Sequence, residues 1–150
     1  MHIDILIQNN PEIINLILLL NGVYDILCSV GILWLSDMPV FSVLSKLHIE
    51  MFAKKEHNEN PVIRRLLSYW LMTYGMVRIA AGLSRTPHLY IIAAMTYFVE
   101  AGCFEYENRV GRTMIPSKVA FVSGLSVVFG LLVLMIMPCL AKDPIVAASN

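Results

Sequence analysis

Asp25, Arg78 and Glu100 are ionisable side chains set inside apolar runs, ILLLNGVYDILCSVGILWL, YWLMTYGMVRIAAGL and YIIAAMTYFVEAGCF. An ionisable group at bilayer depth costs about 2.5–3.5 kcal/mol on insertion scales and marks a functional or partnered position. Three uses are open to such a set: an internal ion cluster, a proton or ion pathway, and a carboxylate reserved for a partner protein or lipid. A lone guanidinium tends to hold carboxylates ionised, which argues against proton transfer. Removing one member of a buried pair strands the other at about 3–5 kcal/mol, so a structural ion cluster is the leading reading. Asn21 and Ser29 lie four residues either side of Asp25 and extend its polar stripe toward protein.

Other chemistry is poorly supplied. His2, His48, His57 and His88 lie outside the apolar runs, and no HxxxH pair could hold a metal on a helix face. Each reads as a surface or interfacial histidine, with His88, beside Pro87, a weak candidate for ligating a pigment or haem. Cys28, Cys103 and Cys139 stand singly in apolar runs and read as buried free thiols. Glu105 and Glu107 flank Tyr106 as a solvated helix end. There is no phosphate-binding glycine loop, nucleophile elbow or redox CxxC. The expectation is no catalytic residue, no metal and no obligatory cofactor, with a bound lipid or pigment left open.

The elements that carry these residues follow from composition. Hydrophobic residues make up 57% of the 150 and charged residues 15%, with a mean hydropathy of +0.68. Eleven basic residues balance eleven acidic ones, so the basic surface that nucleic acid requires is absent. These numbers predict an all-α membrane protein, a single integral membrane domain over residues 1–150. Crossing the hydrocarbon core takes about 20 apolar residues. Four transmembrane helices in a compact bundle are expected, over about 13–35, 66–83, 89–106 and 119–140. Between the first two, Phe41, Val43, Leu44, Leu47, Met51 and Phe52 suggest a short interfacial helix or a packed loop. The following KKEHNEN reads as a solvated connector.

Asn10, Pro11 and Glu12 suit a helix start. SRTPH forces a tight reversal into a hairpin, GRTMIPS breaks the chain before the last span, and Pro138 and Pro144 mark its far end. At 1.5 Å per residue, Asp25 and Glu100 fall roughly 18 Å, and Arg78 roughly 11 Å, from the terminus-side surface. The lean of helical side chains lets the guanidinium reach the carboxylates. Eight Lys and Arg on the loop side against Arg85 and Lys142 opposite put both termini on the lumenal or intermembrane side. MHIDILIQNNPE lacks the marks of a cleaved signal or transit peptide. Ser126 and Gly130 form a small-residue packing pair; Gly75, Gly82, Ala93, Ala94, Ala101 and Gly102 allow close helix approach. Trp34, Tyr69, Trp70, Tyr90 and Tyr106 fit interfacial belts, and nine methionines fit gap-filling.

One ordered set of residues points to a family. Arg65, Trp70 and Arg78 give R-x4-W-x7-R, followed by Leu89-Tyr90, Thr96-Tyr97, and G-x-F-x-x-E at Gly102, Phe104 and Glu107. This resembles the ergosterol-biosynthesis scaffold family over residues 64–135, small four-helix endoplasmic-reticulum proteins that tether the sterol C-4 demethylation enzymes. Cys103 stands where that family usually has histidine, and Glu100 and Glu105 are additions. The resemblance implies a non-catalytic scaffold or accessory subunit whose partners are other integral membrane proteins and membrane lipids. A structural subunit of a large photosynthetic or respiratory complex, in the thylakoid or mitochondrial inner membrane, is the alternative. A small transporter or membrane enzyme using Asp25 and Glu100 ranks third.

Overall fold

The structure, a computed structural model, describes residues 11–35 and 38–140. His2, Asn10, Lys142 and Pro144 lie outside them, as do the side chains of Pro138 and Cys139. Among the described residues there are six α-helices and no strand: α1 (Pro11–Leu33), α2 (Pro39–Ile49), α3 (Lys55–Glu59), α4 (Pro61–Ser84), α5 (Pro87–Tyr106) and α6 (Pro116–Leu140). Five of the six start on proline, where the missing N–H costs nothing and the fixed φ is already helical. Each long helix therefore begins two to five residues before the apolar run that announced it. Two of them, over Glu12–Leu33 and Pro116–Met135, are long and apolar enough to cross a membrane.

The ends are set locally. Asn60 caps α4, its Oδ1 accepting from the amides of Val62 at 2.9 Å and Ile63 at 3.4 Å. α4 stops where Arg85 turns left-handed, at φ 56°, and Thr86 then leads into Pro87. α5 runs on into a π-helical turn, Glu107–Gly111, closed by Arg112 at φ 51° and by the Thr113 amide donating to the Glu107 carbonyl. The charged KKEHNEN is more ordered than a solvated connector, because α3 occupies most of it. A single antiparallel bridge joins Phe52 to Met114. It is made by the Ala53 amide on the Thr113 carbonyl and the Ile115 amide on the Met51 carbonyl, both at 2.8 Å.

α1 packs chiefly on α4, α5 on α6, and α2 on α1. Gly22 and Gly75 make the first contact possible, since a Cβ on either would lie 2.7 Å from the other's carbonyl oxygen. Gly82 meets Leu19 and the Asn15 carbonyl, and Gly130 sits under the Phe98 ring. Gly102 differs from expectation: a Cβ there would touch nothing within 4 Å, so it faces outward and packs no helix. Polarity is arranged inside out. Asn15, Asp25, Ser29, Ser68, Arg78 and Glu100 are buried, while Leu16, Leu20, Val23 and Leu27 form an exposed stripe along α1. An apolar solvent demands this distribution, because polar groups must then find their partners within the protein.

Candidate functional site

Arg78 lies at the centre of the bundle, 1% exposed. α4 directs its guanidinium between two neighbours: Nη1 donates to Asp25 Oδ2 on α1 at 2.5 Å, and Nη2 to Glu100 Oε2 on α5 at 2.6 Å. Nε donates to Thr96 Oγ1 at 3.2 Å, and Thr96 in turn donates to the Ala93 carbonyl at 2.7 Å. The face of the guanidinium lies 3.8 Å from the centre of the Tyr97 ring and 5.5 Å from that of Tyr74. A desolvated cation–π contact of this type contributes about 2 kcal/mol. One guanidinium is shared between two carboxylates.

Further polar contacts hold the same helices in register. The Ser29 and Ser68 hydroxyls lie 2.7 Å apart, and Ser68 also donates to the Ser29 carbonyl at 2.9 Å, joining α1 to α4. Tyr97 donates to Asn21 at 2.6 Å and Tyr90 to Asn15, joining α5 to α1. α1 thus meets α5 directly through Asn15 and Asn21, while Asp25 reaches α5 only through Arg78, which also holds Glu100. At the terminus end an exposed bidentate pair links Arg85 to Glu12, at 2.8 and 2.9 Å.

Other residues singled out by the sequence scatter. Trp70 is half-buried and stacks on Phe104, itself buried, with ring centres 5.9 Å apart. Arg65 is exposed, Leu89 packs on the core, and Glu107 accepts from Thr113 at 2.7 Å in the π turn. Glu105 pairs with Arg109 at 2.8 Å. Tyr90 departs from an interfacial belt: it is fully buried, because its hydroxyl is taken by Asn15. Trp34, Tyr69 and Tyr106 are exposed. Cys28 is a buried free thiol, whereas Cys103 is only half-buried. His88 is exposed. Among the described residues no group of His, Cys, Asp and Glu has the arrangement to hold a metal.

His48 is the main correction. Expected at the surface, it is 4% exposed, because α2 folds back against the bundle and aims it at the ion cluster. Burial, and secondarily the Arg78 charge, push its pKa down to about 4. The signal was present in the spacing: His48 lies four residues after Leu44 and three before Met51, on the helical face that packs inward. Lys118 fixes this segment from α6, donating to the Glu50 carbonyl at 3.1 Å and to Oε2 at 3.0 Å. That hydrogen bond holds the Glu50 carboxyl below the usual carboxylate range. Gly22 and Asn15 were also missed, since a lone glycine or asparagine in an apolar run carries no spacing.

Against known proteins, a family model described as Erg28 like protein matches residues 21–133. The match takes in Asp25, Arg78 and Glu100 and reaches back through the α2 segment into α1, beyond the 64–135 stretch that carried the resemblance. No curated protein and no solved structure matches the chain.

Proposed function

The chain belongs to the Erg28 like protein family, membrane proteins associated with sterol biosynthesis, and on that premise we propose that it is a non-catalytic integral membrane scaffold. In this reading α1, α4, α5 and α6 all cross the membrane of the endoplasmic reticulum, with both termini lumenal, as one integral domain. Arg78 is its register pin: it ties α1, α4 and α5 from within, so the scaffold presents fixed outer faces. The observation that carries the reading is the enclosure of charge. Both carboxylates and the guanidinium answer one another inside, with side-chain exposures of 3%, 7% and 1%, and the outward surface is left apolar. One outward groove, between α5 and α6, is floored by Ala101, Gly102, Ala120, Ser123 and Gly124 and admits a neighbouring helix at close range.

Affinity capture of the full chain in mild detergent tests this reading. Sterol-pathway membrane enzymes should co-purify with the wild type and with an Arg85→Ala control, whose exposed ion pair contributes little to folding. They should be lost on Gly124→Leu, which fills the groove without touching the interior. Capture of electron-transfer subunits instead, or of no membrane protein, would defeat the scaffold reading.

A further inference from the structure

α2 encloses a small cavity against the bundle. Its walls are charged on one side, where Asp25, Arg78 and Glu100 meet, and mainly apolar on the other, where α6 contributes Phe121 and Leu125 beside the buried Ser126. Its volume is about 60 Å³. His48 lines it, and the Nδ1 of that ring is shielded from solvent without a hydrogen-bond partner. An unanswered buried nitrogen in a polar chamber is costly and points to something that fills it. The Tyr24 ring, tilted 41° at 5.8 Å between centres, packs near the imidazole without satisfying it.

Size, charge and access narrow the occupant. About 60 Å³ takes one or two non-hydrogen atoms, since a water's share of liquid volume is about 30 Å³. A phosphate or a sugar headgroup does not fit, and the Asp25 and Glu100 carboxyls in the wall are poor hosts for an anion. A second cation would share the chamber with a guanidinium that already engages both carboxylates. His48 is itself neutral near pH 7, because burial pushes its pKa down to about 4, so Nδ1 wants a neutral partner. A hydroxyl both donates and accepts, and so satisfies that nitrogen in either tautomer. The way in runs past Phe121, 62% exposed, and Leu125, 42% exposed, on a helix apolar enough to face lipid. A molecule entering there is apolar everywhere except its tip.

We propose that this cavity binds the hydroxyl head of an uncharged membrane lipid alcohol, with His48 Nδ1 as its hydrogen-bond partner and the apolar body lying along Phe121 and Leu125. The site goes beyond the scaffold reading and does not depend on it.

The test uses the full chain in phosphatidylcholine nanodiscs and a long-chain alcohol bearing a diazirine, with the chain-matched alkyl phosphate and alkylammonium as comparators. Saturable crosslinks from the alcohol are expected on the peptides around Leu47 and Leu125. His48→Phe should reduce them at least tenfold at unchanged thermal stability, and neither comparator should label there. Leu125→Trp, on the exposed side of the mouth, should block labelling as well, and decides the matter if His48→Phe fails to fold. Labelling unaffected by either variant would overturn the assignment. So would equal labelling by the ammonium, which would make this a cation site, or no saturable labelling at all, which would leave a cavity holding only water.

Discussion

Replacing Arg78 with methionine keeps an unbranched apolar stem and removes the guanidinium with its charge, and the structure sets what should follow. The guanidinium makes charge-assisted bonds of 2.5 and 2.6 Å to side chains 3% and 7% exposed. Both carboxylates are left unanswered in a low-dielectric interior, and the contact with Tyr97 is lost as well. Breaking a buried pair costs about 3–5 kcal/mol. For a chain of this size each kcal/mol moves Tm by about 2–4 °C, so Arg78→Met should lower it by roughly 6–20 °C. Tryptophan-fluorescence melting in detergent measures this, because Trp70 stacks on Phe104 in the folded core. The decisive comparison is the triple variant that adds Asp25→Asn and Glu100→Gln. Neutralising the stranded acids should recover most of the loss, since a buried ion triad can be exchanged for uncharged groups at little net cost. A single variant within 2 °C of wild type, or a triple variant no better than the single, would refute the pin.

Three further outcomes follow from the same geometry. His48 has a folded pKa of about 4 against about 6.5 unfolded, so the unfolded chain takes up the proton first as pH falls. Stability should therefore decline between about pH 6.5 and 4, by up to about 3 kcal/mol, and His48→Phe should flatten that decline in melts across the range. Gly75→Val should destabilise by several kcal/mol, because its Cβ would meet the Gly22 carbonyl at 2.7 Å, while Gly102→Val should leave Tm unchanged. The Arg85–Glu12 pair is 54% and 65% exposed, so Arg85→Ala should cost under about 1 kcal/mol, far less than Arg78→Met in the same melting assay.

The sequence made some of this legible and hid the rest for physical reasons. Helix positions were readable because apolar runs of membrane length are separated by prolines, and Pro11, Pro39, Pro61, Pro87 and Pro116 each turned out to start a helix, whereas Pro138 lies inside α6. Asp25, Arg78 and Glu100 announced themselves because charge in an apolar run is expensive, and depth along a helix could be counted. His48 was masked by the polar Lys46 and Glu50 beside it, which resemble a surface segment, although its spacing from Leu44 and Met51 marked the inward face. Tyr90 was hidden by its position near a helix end, where a tyrosine usually faces the interface. Gly102 and Gly75 read alike as letters, yet one faces open space and the other a carbonyl oxygen. Which face a glycine presents depends on the neighbouring helix, and that information is not local.

The bridge between Phe52 and Met114 bears on the order in which a growing chain can be completed. Its two strands of backbone lie far apart in the sequence, and the second emerges only after α1 to α5 have been made. Until then the segment carrying His48 is held chiefly from α1, where the Tyr24 hydroxyl and the Cys28 thiol both reach the Leu44 carbonyl at 3.3 Å. Completion of the chain therefore adds a second anchor to that segment, the bridge itself and Lys118 on Glu50.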